Sequence, residues 1–244
     1  MKNPIADPAH HAISPKEAKE IVAAAGRWYH RFEIIPGVVT PGSYIPNFLL
    51  DKMELPNDLS GHRVLDLGAS DGFFSLMMRH RGAQVVSVDC QSKHQRGFGA
   101  MERISGAGFD YRHVNIYDIT PAAFGTFDIV LFFGVLYHLP EMLKALSIVR
   151  NICSDRMFIE TQCAVEFSPG ESAARYHREK TLNNDATNFW TPNPRCLRDM
   201  LHDASFDIDR SETWGDRYFD ACRISNELPR LGKMHLAYAV TGKD

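Results

Sequence analysis

Ten residues, Arg63-Val-Leu-Asp-Leu-Gly-Ala-Ser-Asp-Gly72, restrict the fold of this chain more than any other stretch. Arg63 to Leu67 reads as a buried strand. It opens into a tight turn at Gly68, Ala69 and Ser70, and the apolar run Phe73-Phe-Ser-Leu-Met-Met78 continues from Gly72 as a helix. A strand, a glycine turn and a helix form a nucleotide crevice at the carboxyl edge of a parallel sheet. Gly68 and Gly72 let the backbone approach a ligand without a Cβ in the way. Asp66 carries a charge into an apolar strand, which costs free energy unless a donor meets it.

Further strands follow at regular spacing. The pattern predicts strands at 63–67, 84–89, 109–114, 127–133 and 156–161, with helices near 72–80, 95–105 and 140–150 between them. Such alternation argues for an α/β fold with a parallel sheet covered on both faces. A helix near 194–203 and two strands near 206–213 and 233–241 complete the reading. Upstream, Ser14-Pro15-Lys16-Glu17 is a capping box with proline at the first helical position, so a helix is expected to run to about Ala25. The chain divides into an N-terminal helical cap, 1–60, and a main domain, 61–244, with a lid at about 163–192. A loop of that length in a compact domain is usually functional or disordered.

A dinucleotide fold wants G-x-G-x-x-G at the turn. Ser70 and Phe73 stand where the second and third glycines belong. The expected ligand therefore lacks a pyrophosphate. Strand two ends in Val85-Val-Ser-Val-Asp89, about 20 residues beyond the turn, the distance at which an acidic residue receives a ribose diol. A helix-capping or solvated Asp is the plainer alternative.

Three motifs carry a resemblance. The glycine turn, Asp89 and the run Phe127-Asp-Ile-Val-Leu-Phe-Phe-Gly-Val-Leu-Tyr-His-Leu-Pro140 resemble those of the class I S-adenosylmethionine (SAM) methyltransferases. The resemblance implies a seven-stranded, mostly parallel Rossmann-like sheet with a last antiparallel strand. It implies cofactor contacts at Asp66, Gly68, Ala69, Ser70, Gly72 and Asp89. Asn115 and Ile116 would recognise adenine, with Asp118 a rival, and Phe133 and Gly134 would lie beside the methionine portion. The flanks Asp51-Lys-Met-Glu-Leu-Pro-Asn-Asp-Leu-Ser-Gly61, Ile159-Glu-Thr161 and Asn188-Phe-Trp-Thr-Pro-Asn193 are similar to those of the tRNA wobble-uridine carboxymethyltransferases and their relatives of unassigned substrate. The tRNA enzymes of that family use carboxy-SAM and carry a longer N-terminal part. This chain has only 62 residues before Arg63.

With a net charge of −3, the chain offers no general basic field for nucleic acid. A small-molecule acceptor and ordinary SAM are therefore expected ahead of tRNA and carboxy-SAM, with a non-catalytic SAM-binding protein as the contrasting class. No stretch is long and apolar enough for a membrane span. No metal is expected, because the five cysteines are scattered without a C-x-x-C pair, a usage that suits reduced thiols in a cytoplasm. Oxygen, nitrogen, carbon and sulfur acceptors and the oligomeric state stay open.

Methyl transfer is an in-line displacement, and alignment supplies most of the catalysis. A base is needed only for an acceptor that is protonated at the working pH. His138, Glu160 and Tyr137 are the candidate catalytic residues. His138 has an imidazole poised near neutrality but equally suits a local structural bond. Glu160 ends the fifth strand, as a second base or an orienting group. Trp28, Tyr29, His30, Arg175, Tyr176 and Trp190 are the candidate substrate contacts. The alternatives are aromatic packing for the first three and, for Arg175, a solvated helix in which Glu171 lies four residues away.

Overall fold

A computed structural model describes residues 13–226. The described residues divide into two compact units, the first ending at Ile116 and the second beginning at Tyr117.

The first unit opens with α1 (Pro15–Ala24), whose N-cap Ser14 accepts a hydrogen bond from the Glu17 N–H at 3.2 Å. The cap satisfies one of the orphan donors of the first turn. The helix turns Ala18 and Val22 inward. A small antiparallel hairpin follows, β1 (Glu33–Ile35) and β2 (Val38–Val39), then α2 (Asn47–Met53). The alternating part of the unit is β3 (Arg63–Leu67), α3 (Phe73–His80), β4 (Gln84–Asp89), α4 (Phe98–Ser105) and β5 (Asp110–His113). β3 pairs in parallel with β4, and β4 with β5, which sets Asp66 opposite Ser87 and Asp89 opposite His113.

The second unit contains α5 (Pro121–Phe124), β6 (Phe127–Phe133), α6 (Met142–Ile152) and β7 (Cys153–Gln162). A short hairpin, β8 (Ala174–Tyr176) with β9 (Trp190–Pro192), leads into α7 (Pro194–Asp203), which Asn193 caps through the Cys196 N–H. The unit continues with β10 (Phe206–Trp214) and β11 (Arg217–Ile224).

One seven-stranded sheet runs in the order β10-β11-β7-β6-β3-β4-β5. β11 is antiparallel to both of its neighbours, β10 and β7. The consecutive residues Val130, Leu131 and Phe132 are fully buried. Neighbouring side chains of a strand point to opposite faces, so both faces of β6 are covered, as a parallel sheet requires.

The last antiparallel strand was expected over 233–241 and is instead β11, Arg217–Ile224. The hairpin turn at Gly215, φ +58°, reverses the chain directly after β10. Residues 233–241 lie outside the described residues. The lid also holds more order than expected. Arg175 sits in β8 rather than on a helix and pairs with Glu166, not Glu171. Among the described residues, no helix is long and apolar enough to cross a membrane.

Candidate active site

In the first unit the chain leaves β3 through three left-handed residues, Gly68 (φ +85°), Ser70 (φ +51°) and Gly72 (φ +87°). The N–H groups of Gly68 and Ala69 both donate to the Val88 carbonyl, at 2.8 and 3.0 Å, which pins the turn to the end of β4. Gly72 has a packing reason of its own. A Cβ there would stand 2.1 Å from Met101 Cε and 3.0 Å from Phe98, so α4 presses directly on the helix start.

Asp89 is anchored at both oxygens. Oδ2 accepts from the Ser70 N–H and Oδ1 from the Gln91 N–H, each at 2.9 Å. A carboxylate has about four acceptor directions, so this anchoring leaves room for the two donors of a ribose diol. The loop beyond Asp89 is held by side chains that sequence reasoning did not single out. Tyr111 donates its phenol proton to the Gln91 carbonyl at 2.8 Å, and Arg96 reaches Gln91 Oε1 at 3.0 Å. Asn115 follows β5, and the buried Ile116 begins a 3-10 turn.

Asp66 is 3% exposed and accepts a 2.6 Å hydrogen bond from Ser75 Oγ, which is itself 2.7 Å from Ser87 Oγ. Burial pushes its pKa up to about 6, against the opposing pull of Ser75 and the charge of His30. Its direct hydrogen-bond partner is a neutral hydroxyl, so the buried carboxylate remains under-compensated. The fit is to a ligand that brings a positive charge.

Of the N-terminal candidates, Trp28 is buried, donates to the Val22 carbonyl at 3.0 Å and lies where a Cβ on Gly97 would stand. Tyr29 is half-exposed and stacks on Tyr44 at 5.4 Å between ring centroids. His30 is buried against Asp71, Nδ1 to Oδ1 at 2.5 Å. Asp71 Oδ2 also accepts the Tyr29 and His30 N–H groups at 2.8 and 2.7 Å. Asp71 thus ties the N-terminal segment to the glycine turn. Its place beside Gly72 was its one sequence signal, and nothing local indicates a partner 41 residues upstream.

The second unit gathers a different group. Gly134 ends β6 with φ +68°. Glu160 is 3% exposed at the far end of β7 and accepts from Arg217 Nη1 at 3.1 Å. Burial raises the Glu160 pKa, while the Arg217 charge and hydrogen bond pull it down. The Arg217 guanidinium lies 5.4 Å from the centroid of the buried Tyr137 ring. Arg217 was missed because only the pairing of β11 with β7 brings it beside Glu160.

His138 turns the other way. Its Nδ1 stands 3.0 Å from Thr187 Oγ1 and 3.2 Å from the Thr187 carbonyl. Trp190 donates to the Pro140 carbonyl at 3.2 Å and meets Tyr176 edge-on at 4.9 Å. The lid is tied to the sheet through Asn183, which donates to Gln162 at 2.8 Å, and Gln162 donates to Asp216 at 2.6 Å. Among the described residues, no group of three or more His, Cys, Asp or Glu side chains is placed to hold a metal.

Known proteins resemble this chain. A family model described as "Methyltransferase domain" matches residues 43–211. The ubiquinone biosynthesis O-methyltransferase of Xanthomonas oryzae pv. oryzae (strain PXO99A) is 29% identical over 134 residues, 55% of this chain and 54% of that protein. The tRNA U34 carboxymethyltransferase of Desulfotalea psychrophila is 26% identical over 157 residues, 62% of this chain and 48% of that protein. The chain therefore spans about half the length of the curated relatives it matches. Among solved structures, the N-terminal domain of EvdMO1 with SAH bound superposes with a TM-score of 0.67 at 17% identity, over 90% of this chain and 100% of that one. With its glycine turn, its β4 carboxylate and its sheet order, and with most of its length matched by the family model, this chain belongs to the methyltransferase-domain family.

Proposed function

We propose that this protein transfers the methyl group of SAM to a small-molecule acceptor. One observation carries the reading: two carboxylates, Asp66 and Asp89, stand at the ends of the adjacent parallel strands β3 and β4, beside a left-handed glycine turn. Asp89 is oriented by two backbone donors to receive a ribose diol, and Asp66 is buried, under-compensated and suited to a cation. SAM, when bound, supplies an electrophilic methyl group on a positively charged sulfur. In this reading Gly68, Ala69, Ser70 and Gly72 shape the cofactor turn, Asn115 and Ile116 recognise adenine, and Phe133 and Gly134 flank the methionine end. Tyr137 and Glu160 serve the acceptor, His138 holds the lid through Thr187, and the lid excludes water, with Arg175, Tyr176 and Trp190 as contacts from it.

The net charge of −3 supports a small acceptor over a polyanion. The aligned relatives include enzymes of both kinds, which makes the cofactor comparison informative. Calorimetry with S-adenosylhomocysteine tests the binding site, and labelled transfer from SAM or carboxy-SAM to a set of phenols, amines and uridine-containing RNA tests the reaction. Heat on binding and label on a small molecule are expected. Turnover with carboxy-SAM and RNA alone would replace this reading with the carboxymethyl one, and tight binding without product on any acceptor would leave a binding protein.

A further inference from the structure

One point in the second unit draws three polar groups together. Gly134 has no side chain, and a Cβ built there would stand 3.7 Å from Tyr137 Oη and 3.9 Å from Glu160 Oε2. Two oxygen atoms therefore flank the same small space. Arg217 backs both walls of it, 3.1 Å from Glu160 Oε1 and over the ring of Tyr137. Any residue but glycine at position 134 would fill the opening in front of Oε2.

We infer that Arg217 is a positioning residue that keeps Glu160 ionised and turned toward Gly134, where Glu160 accepts the proton of a hydroxyl or neutral amine acceptor. The inference rests on the methyl-transfer reading and narrows its substrate class. In the step, the acceptor oxygen or nitrogen forms a bond to the methyl carbon. The methyl–sulfur bond breaks with its electron pair left on sulfur, and the acceptor's proton passes to Glu160. A desolvated carboxylate is a stronger base than a solvated one, and a neighbouring guanidinium keeps it ionised near neutrality. The charged and titratable groups around Glu160 are few. Arg217 and Asp216 come from the hairpin of β10 and β11, Tyr137 from the turn after β6, and Cys163 from the residue beyond β7. Asp216 adds to the upward pull of burial on Glu160, and Arg217 with the Gly134 N–H opposes both. His138 is directed to Thr187 instead.

Two measurements on the full chain test this. The first is a carbon-13 NMR titration of the Glu160 carboxyl in cofactor-free protein, assigned by its loss in Glu160→Gln. Arg217→Met should move the midpoint upward, and Arg217→Lys should restore most of the shift. A midpoint unmoved in Arg217→Met overturns the positioning role. The second compares binding of sinefungin, which carries an ammonium in place of the sulfonium methyl, with binding of S-adenosylhomocysteine. The parent should prefer sinefungin by about tenfold, as a charge-assisted contact would give. Glu160→Gln should lose that preference, and Arg217→Met should show it only at higher pH. Equal preference in the parent and Glu160→Gln overturns the proton-acceptor role. Failure of the parent to bind either compound would instead sink the methyl-transfer reading, and the NMR titration would still decide the role of Arg217.

Discussion

Asp66 and Asp89 in the first unit and Glu160 in the second are stabilised by opposite means. In the first, Asp66, Asp71 and Asp89 are met by backbone N–H groups, serine hydroxyls and one histidine. In the second, Glu160 is met by a guanidinium. Backbone and hydroxyl donors satisfy lone pairs without cancelling charge, so Asp66 and Asp89 keep a pull on a cation. An ion pair cancels its own field and acts locally, through orientation and proton affinity. In the proposed reading, the difference separates a surface that holds a charged ligand from a pair that tunes one group.

The largest effect is expected from Asp89→Ala. It removes the proposed diol acceptor and frees the Ser70 and Gln91 N–H groups. The affinity for S-adenosylhomocysteine should fall by at least about a hundredfold in calorimetry, the equivalent of about 3 kcal/mol. An affinity within threefold of the parent would break the contrast between the clusters, because the first would then hold no ligand.

The two glycines sharpen it next. Gly72→Ala places a Cβ against Met101 and Phe98 at positive φ, and should cost about 3 kcal/mol in denaturant unfolding from overpacking and backbone strain together. Gly134→Ala meets only ordinary contacts and pays for φ +68° alone, so about 1 kcal/mol is expected. Equal losses would mean that the opening at Gly134 is packed as tightly as the helix start.

A pH series compares one buried carboxylate from each unit. Asp66 and Asp220 are both raised to about 6 by burial, and Ser211 meets Asp220 Oδ1 at 2.5 Å. A folded-state pKa above the unfolded value near 4 means that the folded protein holds the proton more tightly. Each group therefore favours folding at low pH, loses that contribution as pH rises from about 4 to 6, and changes little above. Asp66→Asn and Asp220→Asn should each flatten this decline, gaining up to about 3 kcal/mol relative to the parent across that window. Only Asp66→Asn should weaken binding of SAM. If Asp220→Asn weakened it equally, the special role of the first cluster would fall.

The smallest effect belongs to the lid surface. The Arg175–Glu166 pair is about half exposed, so Arg175→Ala should shift the unfolding midpoint by less than about 0.5 kcal/mol while leaving room for an effect on acceptor affinity.

Much of this molecule was legible in its residue order. The capping box at Ser14, the strand and glycine turn at 63–72, the β4 carboxylate and the apolar β6 are local patterns, and local sterics and hydrophobic periodicity fix them within a few residues. The seventh strand was displaced to 233–241 because Arg217–Ile224 does not alternate cleanly, with Tyr218, Phe219 and Asp220 all buried between two neighbouring strands. The helical alternative for Arg175 fails because a spacing of four residues suits a helix and says nothing when the segment is a strand.

By itself the sequence determined the α/β alternation, the left-handed glycine turn after β3 and the two carboxylates beside it, since each depends on neighbours within one strand–turn–helix unit. Only the tertiary structure decided that Asp71 fastens the N-terminal segment, that Arg217 meets Glu160 and that His138 faces Thr187. Those partners stand 41, 57 and 49 residues apart. Strand pairing and loop docking bring them together, and no local propensity encodes which distant side chain will arrive.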